Sequence, residues 1–268
     1  MPDPIGSLIR RAALASCFTV LAVARAGAQQ PLAEPPTSGQ FMSRFDFHLS
    51  AAGLAVNDPR FKVDTHWGGD WDLVDYVQGR LMFLADYEAV LGDQFRLFDP
   101  NQGNYTLEVS SSLRAADGTE FAGVLHHVSR HLSDRANRLA IAMNVAEVRV
   151  LRQVDLGRST LALRADAGPI VARAYVDYTW MAVGEALLRR PLTPHAGLFG
   201  RAHAEVYAVD HAIAGRSRQQ GGHLEAGVRL AGTRAALELF GGYERVVDAD
   251  PLDRQPMRWA FAGFRIVN

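Results

Sequence analysis

The sequence predicts an all-β protein: an antiparallel up-and-down transmembrane β-barrel of 12 strands, with 10 as the alternative. Three observations carry that expectation. Apolar and polar residues alternate at every second position in run after run of the chain, the period of a strand with one apolar face. Many of the runs reach 9–13 residues, long enough to cross a bilayer at a tilt. The polar faces carry both charge signs at stacked positions, Arg201 with Glu205 and Glu225 with Arg229, as an interior filled with charge requires.

Residues 1–28 read as a secretory signal that is cleaved. Arg10 and Arg11 form its positive end, Ala12 to Ala24 its short apolar stretch, and Ala26-Gly27-Ala28 its small-residue cleavage site, the stretch being too short for a spanning helix. Removing it leaves 240 residues with 25 basic and 28 acidic side chains, a formal charge of −3, and no cysteine, because Cys17 leaves with the signal. No disulfide framework and no cysteine nucleophile remain. The near-neutral charge also excludes a nucleic-acid binder, which needs a basic stripe. Residues 29–40 (QQPLAEPPTSGQ) form a proline-rich tail without periodicity, and residues 41–268 form the barrel.

The strands are expected in order near 43–56, 79–91, 105–115, 119–131, 137–152, 159–167, 170–182, 196–209, 222–231, 233–245 and 257–267, with a twelfth around 61–67 or 71–77. Turn residues separate them at Asp99 to Asn104, Asp117-Gly118, Leu156-Gly157, Gly168-Pro169, Gly221-Gly222 and Asp248 to Pro256, where Gly, Pro, Asn and Asp cluster. Met181 to Leu188 is the best short helix candidate. At about 20 residues per strand and connection, 240 residues accommodate 12 strands, and single-chain bacterial barrels have even counts. Trp67, Trp71, Tyr76, Tyr178, Trp180 and Trp259 fall near strand ends, where an interfacial aromatic girdle sits. The last run, Arg258 to Asn268, is rich in aromatics, as closing strands of outer-membrane barrels are, and ends on Asn rather than Phe.

Ser and His concentrate in Leu125-His126-His127-Val128-Ser129-Arg130-His131-Leu132-Ser133-Asp134. On a strand, residues i and i+2 point the same way, so His127 and Ser129 are neighbours on one face. A serine hydroxyl becomes a nucleophile when an adjacent imidazole takes its proton. Parity places His127 and Ser129 with Phe121 and Leu125, and Asn137 with Leu139, Ile141, Met143 and Val145; both are expected as lipid-facing sides. Ala122, Val124 and Val128 make the opposite face of the 119–131 strand apolar as well. A flipped strand puts the same residues into the interior.

The string His127-x-Ser129-x-His131-Leu132-x-Asp134 resembles an uncharacterised family of secreted bacterial barrels, a domain of unknown function. The His127-x-Ser129 pair is similar to the His-x-Ser motif of outer-membrane phospholipase A and of the lipid A 3-O-deacylase. That resemblance implies Ser129 as nucleophile, His127 as general base and Asn137 as the group orienting the base. It also implies membrane lipid or lipopolysaccharide as substrate, and it brings calcium and homodimerisation as family properties. Here Arg130-His131 follows the serine where those enzymes carry Asn or Gly. No cofactor and no metal site are read from the residues themselves. His127 and His131 lie about 13 Å apart along a strand, so His126, His127, His131 and Asp134 do not form a ligand set.

Two function classes therefore stand side by side. One is a serine-type lipid esterase of the bacterial outer membrane. The other is a non-enzymatic barrel serving as a small pore, an adhesive surface or an envelope component. A soluble periplasmic β-domain with an apolar ligand is a third.

Overall fold

A computed structural model describes residues 35–268 except 133–138, 140, 211, 213–215 and 217. The signal segment and most of the tail lie outside the described residues. Twelve strands follow one another: β1 Gln40–Ala55, β2 Val63–Asp75, β3 Arg80–Gly92, β4 Asp99–Arg114, β5 Thr119–Leu132, β6 Ile141–Leu156, β7 Ser159–Ala174, β8 Tyr178–Thr193, β9 Ala196–Val209, β10 Gln219–Ala231, β11 Ala236–Asp250 and β12 Gln255–Val267. Each pairs antiparallel with its neighbour in sequence, and β1 pairs with β12, so the sheet closes into the expected 12-stranded barrel.

The pleat sorts the side chains as the alternation requires. Leu113, Leu125, Leu107, Val109, Val228 and Leu239 project outward and are exposed. Glu108, Glu120, His126, Arg149, Asp166 and Glu225 alternate with such residues and are buried inside. An apolar outside around a charged inside is the reverse of a water-soluble barrel.

The interior is packed. Arg80 donates to Glu120 at 2.8 Å and to Asp72 at 3.2 Å. Arg149 meets Asp166 and Glu108, each at 2.9 Å, and Arg265 meets Glu225 at 2.8 Å and Glu238 at 2.9 Å. Such charges are tolerated away from water because each guanidinium faces two carboxylates. Apolar clusters lie among these charges. One gathers Leu54, Phe61, Leu187, Phe240, Trp259 and Phe261, the other Val128, Met143, Val145, Tyr178, Met181 and Tyr207.

These clusters correct two sequence expectations. Ile141, Met143 and Val145 do not face lipid: they are 4, 7 and 1 % exposed and point inward, while Ala142 and Asn144 point outward. Tyr178 and Trp259 belong to the interior clusters and not to a girdle. An interior that is apolar in patches removes the polarity contrast by which a strand's inner face is recognised.

The Gly168-Pro169 turn is also corrected. β7 runs through it, and the β6–β7 register shifts between Asn144 and Val145. A Cβ at Gly168 would stand 1.9 Å from the Ala146 carbonyl oxygen. The glycine admits a neighbouring backbone, and the proline lies two residues from Val171, the residue left over at the register shift. Likewise Gly221 lies within β10, where a Cβ would meet the Glu205 carboxylate, and Asp99 to Asn104 opens β4. Met181 to Leu188 is strand, the centre of β8, and a single β2 overlaps both positions considered for the twelfth strand.

The two ends of the barrel differ. At the end holding Gln40 and Val267 the connections are two to four residues, and Gly118 and Gly157 take positive φ in two of them, the conformation that tight hairpins demand. At the other end they run from three to nine residues.

Candidate functional site on the outer wall

In β5, Phe121 and Leu125 are exposed on the outside, while Glu120, Ala122, Val124, His126 and Val128 point inward. Parity then carries His127, Ser129 and His131 to the outer wall, near the end with the longer connections. His126 faces the interior, where its Nδ1 lies 3.0 Å from Glu147. The strand thus separates the histidines that are adjacent in sequence.

His127 stands directly opposite Asn144 of β6. Its Nδ1 is 2.6 Å from Asn144 Oδ1. An amide oxygen only accepts, so Nδ1 carries the hydrogen and Nε2 keeps its lone pair. That is the tautomer a general base needs. Ser129 Oγ lies 3.3 Å from His131 Nε2. Among the described residues no hydrogen bond joins His127 to Ser129, and Asn137 lies outside them.

Asn144 was not singled out in the sequence, because its strand was read with the opposite face outward. The signal that finds it is the register: Asn144 is the β6 residue opposite His127.

Around Ser129 the wall is aromatic on one side and small on the other. Trp67 opposes Tyr87, Tyr87 opposes Tyr105, and Tyr105 opposes Ser129. Ring centroids are 5.3 Å apart for Trp67–Tyr87 and 4.9 Å for Tyr87–Tyr105. The His131 ring meets Tyr105 edge-on at 5.4 Å, an arrangement that fixes the imidazole beside Ser129. On the other side Ser129 opposes Ala142, a small side chain. Opposite His131 is Gly103, where a Cβ would stand 2.6 Å from the Tyr87 hydroxyl oxygen. The missing side chain is what lets Tyr87 lie down along the row.

The end nearest this site is fastened by a charged clasp. Arg216 donates to Asp177 and to Asp248 at 2.8 Å, and the Tyr178 hydroxyl donates to Asp248. Burial pushes the Asp177 carboxyl up, but hydrogen bonds and charge from Arg216 outweigh it and hold it below the usual carboxylate range. Pairing with the same carboxylates raises Arg216.

No protein family matches this chain, and no curated protein matches it either. The phospholipase and deacylase resemblance thus finds no support there. Among solved structures, the chain is similar to a bacterial polysaccharide outer membrane secretin at 10% identity, with TM-score 0.40, covering 85% of this chain and 99% of that one. It is also similar to the outer membrane protein Omp33 of Acinetobacter baumannii at 10% identity, with TM-score 0.39 and coverages of 84% and 96%. For the translocator domain of the autotransporter NalP from Neisseria meningitidis the identity is 13%, the TM-score 0.37, and the coverages 98% and 94%. The likeness is one of barrel shape alone.

Proposed function

We propose that this barrel spans a bacterial outer membrane and that its outer wall carries a serine-type lipid acyl hydrolase. The apolar outer wall and the charge-packed interior support the membrane setting. The aromatic row of Trp67, Tyr87 and Tyr105 is the kind of surface that settles at the headgroup level, the depth at which lipid acyl esters lie.

The observation that carries the hydrolase reading is the His127–Asn144 pair at 2.6 Å, on the outer wall and two residues from Ser129 in that row. In this reading Ser129 Oγ attacks the ester carbonyl carbon and its proton passes to His127 Nε2. The lipid alcohol leaves with that proton, and water then hydrolyses the acyl-serine. Asn144 holds the imidazole tautomer throughout. The substrate is a phospholipid or the acyl chains of lipopolysaccharide. Calcium and a second copy of the chain are additions that the phospholipase resemblance brings to the test.

The test is fatty-acid release by the folded protein in phospholipid or lipopolysaccharide bilayers, with and without calcium. Wild type should release fatty acid and Ser129→Ala should not. A folded wild-type barrel that is inactive under both conditions overturns the reading. The remaining reading is then a structural barrel, favoured over a pore by the packed interior.

A further inference from the structure

We propose that Asp64, His66 and Glu88 form a binding site inside the barrel for a divalent transition-metal ion of the zinc class. Asp64 and His66 lie on β2 and Glu88 opposes His66 on β3, all on the inward face. One donor atom from each lies within 4.8 Å of the others. His66 Nε2 and Asp64 Oδ2 are 3.3 Å apart. In a tetrahedral site with ligand bonds of about 2.0–2.1 Å, neighbouring donors stand about 3.3 Å apart. This edge already has that length.

Two of the three donors, His66 and Glu88, are held by an outer partner, as ligands of metal sites commonly are. Asp86 Oδ2 lies 3.0 Å from His66 Nδ1 and accepts its hydrogen, which turns the Nε2 lone pair toward Asp64. Asp86 is itself fixed by His48 Nε2 at 2.6 Å. Asn104 Nδ2 donates to Glu88 Oε2 at 2.9 Å.

Charge points the same way. Elsewhere in the interior Arg80 and Arg265 each meet two carboxylates and Arg149 meets three. Here Asp64, Asp86 and Glu88 come together, and among the described residues no guanidinium forms an ion pair with any of them. Asp64 and Asp86 stand beside the imidazoles of His48 and His66, and Glu88 beside the Asn104 amide.

Two buried atoms without a hydrogen-bond partner belong to residues that line one cavity. Asp64 Oδ1 is buried without a hydrogen-bond partner. A cavity lined by Asp64 and His66 has His223 and Glu244 on its far wall. The His223 side chain is only 7 % exposed, and its Nδ1 makes no hydrogen bond, Glu244 standing 3.5 Å away. One imidazole with two carboxylates and room for water suits zinc or a similar borderline ion. Calcium, which takes six to eight oxygens, does not fit the set.

The experiment uses the folded, untagged barrel in detergent, stripped with a chelator and titrated with Zn²⁺ by calorimetry. Co²⁺ reports coordination through its visible absorption. Wild type should take up one saturating equivalent and unfold at higher urea in its presence. Asp64→Asn and Glu88→Gln should weaken binding at least about tenfold, and Asp86→Asn about 10–100-fold through the oriented imidazole. His127→Ala should leave binding unchanged. If a folded wild-type barrel shows no saturable binding, the proposal is overturned. It is equally overturned if Glu88→Gln and Asp64→Asn bind as wild type does, which would place the ion on other histidines. Any variant that fails to fold is replaced by the Asp86→Asn arm, which removes no ligand.

Discussion

The Nδ1–H of His127 is donated to Asn144 Oδ1 at 2.6 Å across a directly opposed pair of β5 and β6, and this bond fixes which imidazole nitrogen is free. Two histidines flank Ser129, and among the described residues only His127 has an orienting amide. His131 has an aromatic edge contact and a 3.3 Å contact to Ser129 Oγ. In the proposed hydrolase, His127→Ala should lower kcat by about 10²–10⁴-fold. Asn144→Ala should lower it by less, and His131→Ala should act mainly on KM. Steady-state fatty-acid release at matched folded fraction checks this. The reverse ranking of the two histidines would make His131 the base.

Leu125 is 66 % exposed on the outer wall, one pleat repeat from His127. If that wall meets acyl chains, Leu125→Arg should destabilise the barrel by about 2–4 kcal/mol in a bilayer. Urea unfolding in lipid vesicles reads the effect. A change near zero in lipid would count against the membrane setting.

Arg80 is fully buried between Glu120 and Asp72. Replacing it by Met removes one cation and leaves two carboxylates facing each other, which should cost about 3–5 kcal/mol. Glu120→Gln in the same protein should recover part of that loss. A double-mutant cycle in denaturant measures the coupling.

Acid should release the clasp at the end with the longer connections before it opens the barrel. The Asp177 carboxyl is held below its ordinary range in the folded state. Its contribution to stability is therefore complete above the ordinary carboxylate pKa and falls away as pH drops through the lowered value. Hydrogen exchange at residues 175–178 should stay slow down to about pH 4 and quicken below it. Asp177→Asn should exchange fast at every pH, with no step.

Gly168→Val should misfold or lose yield where Gly184→Val does not. A Cβ at Gly168 meets backbone at 1.9 Å, whereas one at Gly184 meets nothing within 4 Å. Heat-modifiable gel migration separates the two outcomes.

The architecture was readable because alternation is a local property. Leu224, Ala226, Val228 and Leu230 against His223, Glu225 and Arg229 declare both faces of β10 without any tertiary knowledge. The reading failed where the interior is apolar. Met143 and Val145 look lipid-facing by composition and are buried by packing against Met181 and Tyr207. That inversion hid Asn144, while Asn137, expected from the resemblance, lies outside the described residues. Glycines were the other source of error. Gly168 and Gly221 serve close approach rather than turning, and that need exists only once two strands are side by side.

Every ladder of the barrel but one joins strands adjacent in sequence. The exception is the eight-pair seam His48–Ala55 with Ala260–Val267, where the Asn268 side chain also donates to the Phe45 carbonyl oxygen. Hairpins close short loops and form early, whereas the seam must bring together segments about 200 residues apart and is the single costliest loop closure of the barrel. Assembly is therefore a run of cheap local steps followed by one slow, all-or-none closure. A force or a protease that opens the finished barrel should find the same line first.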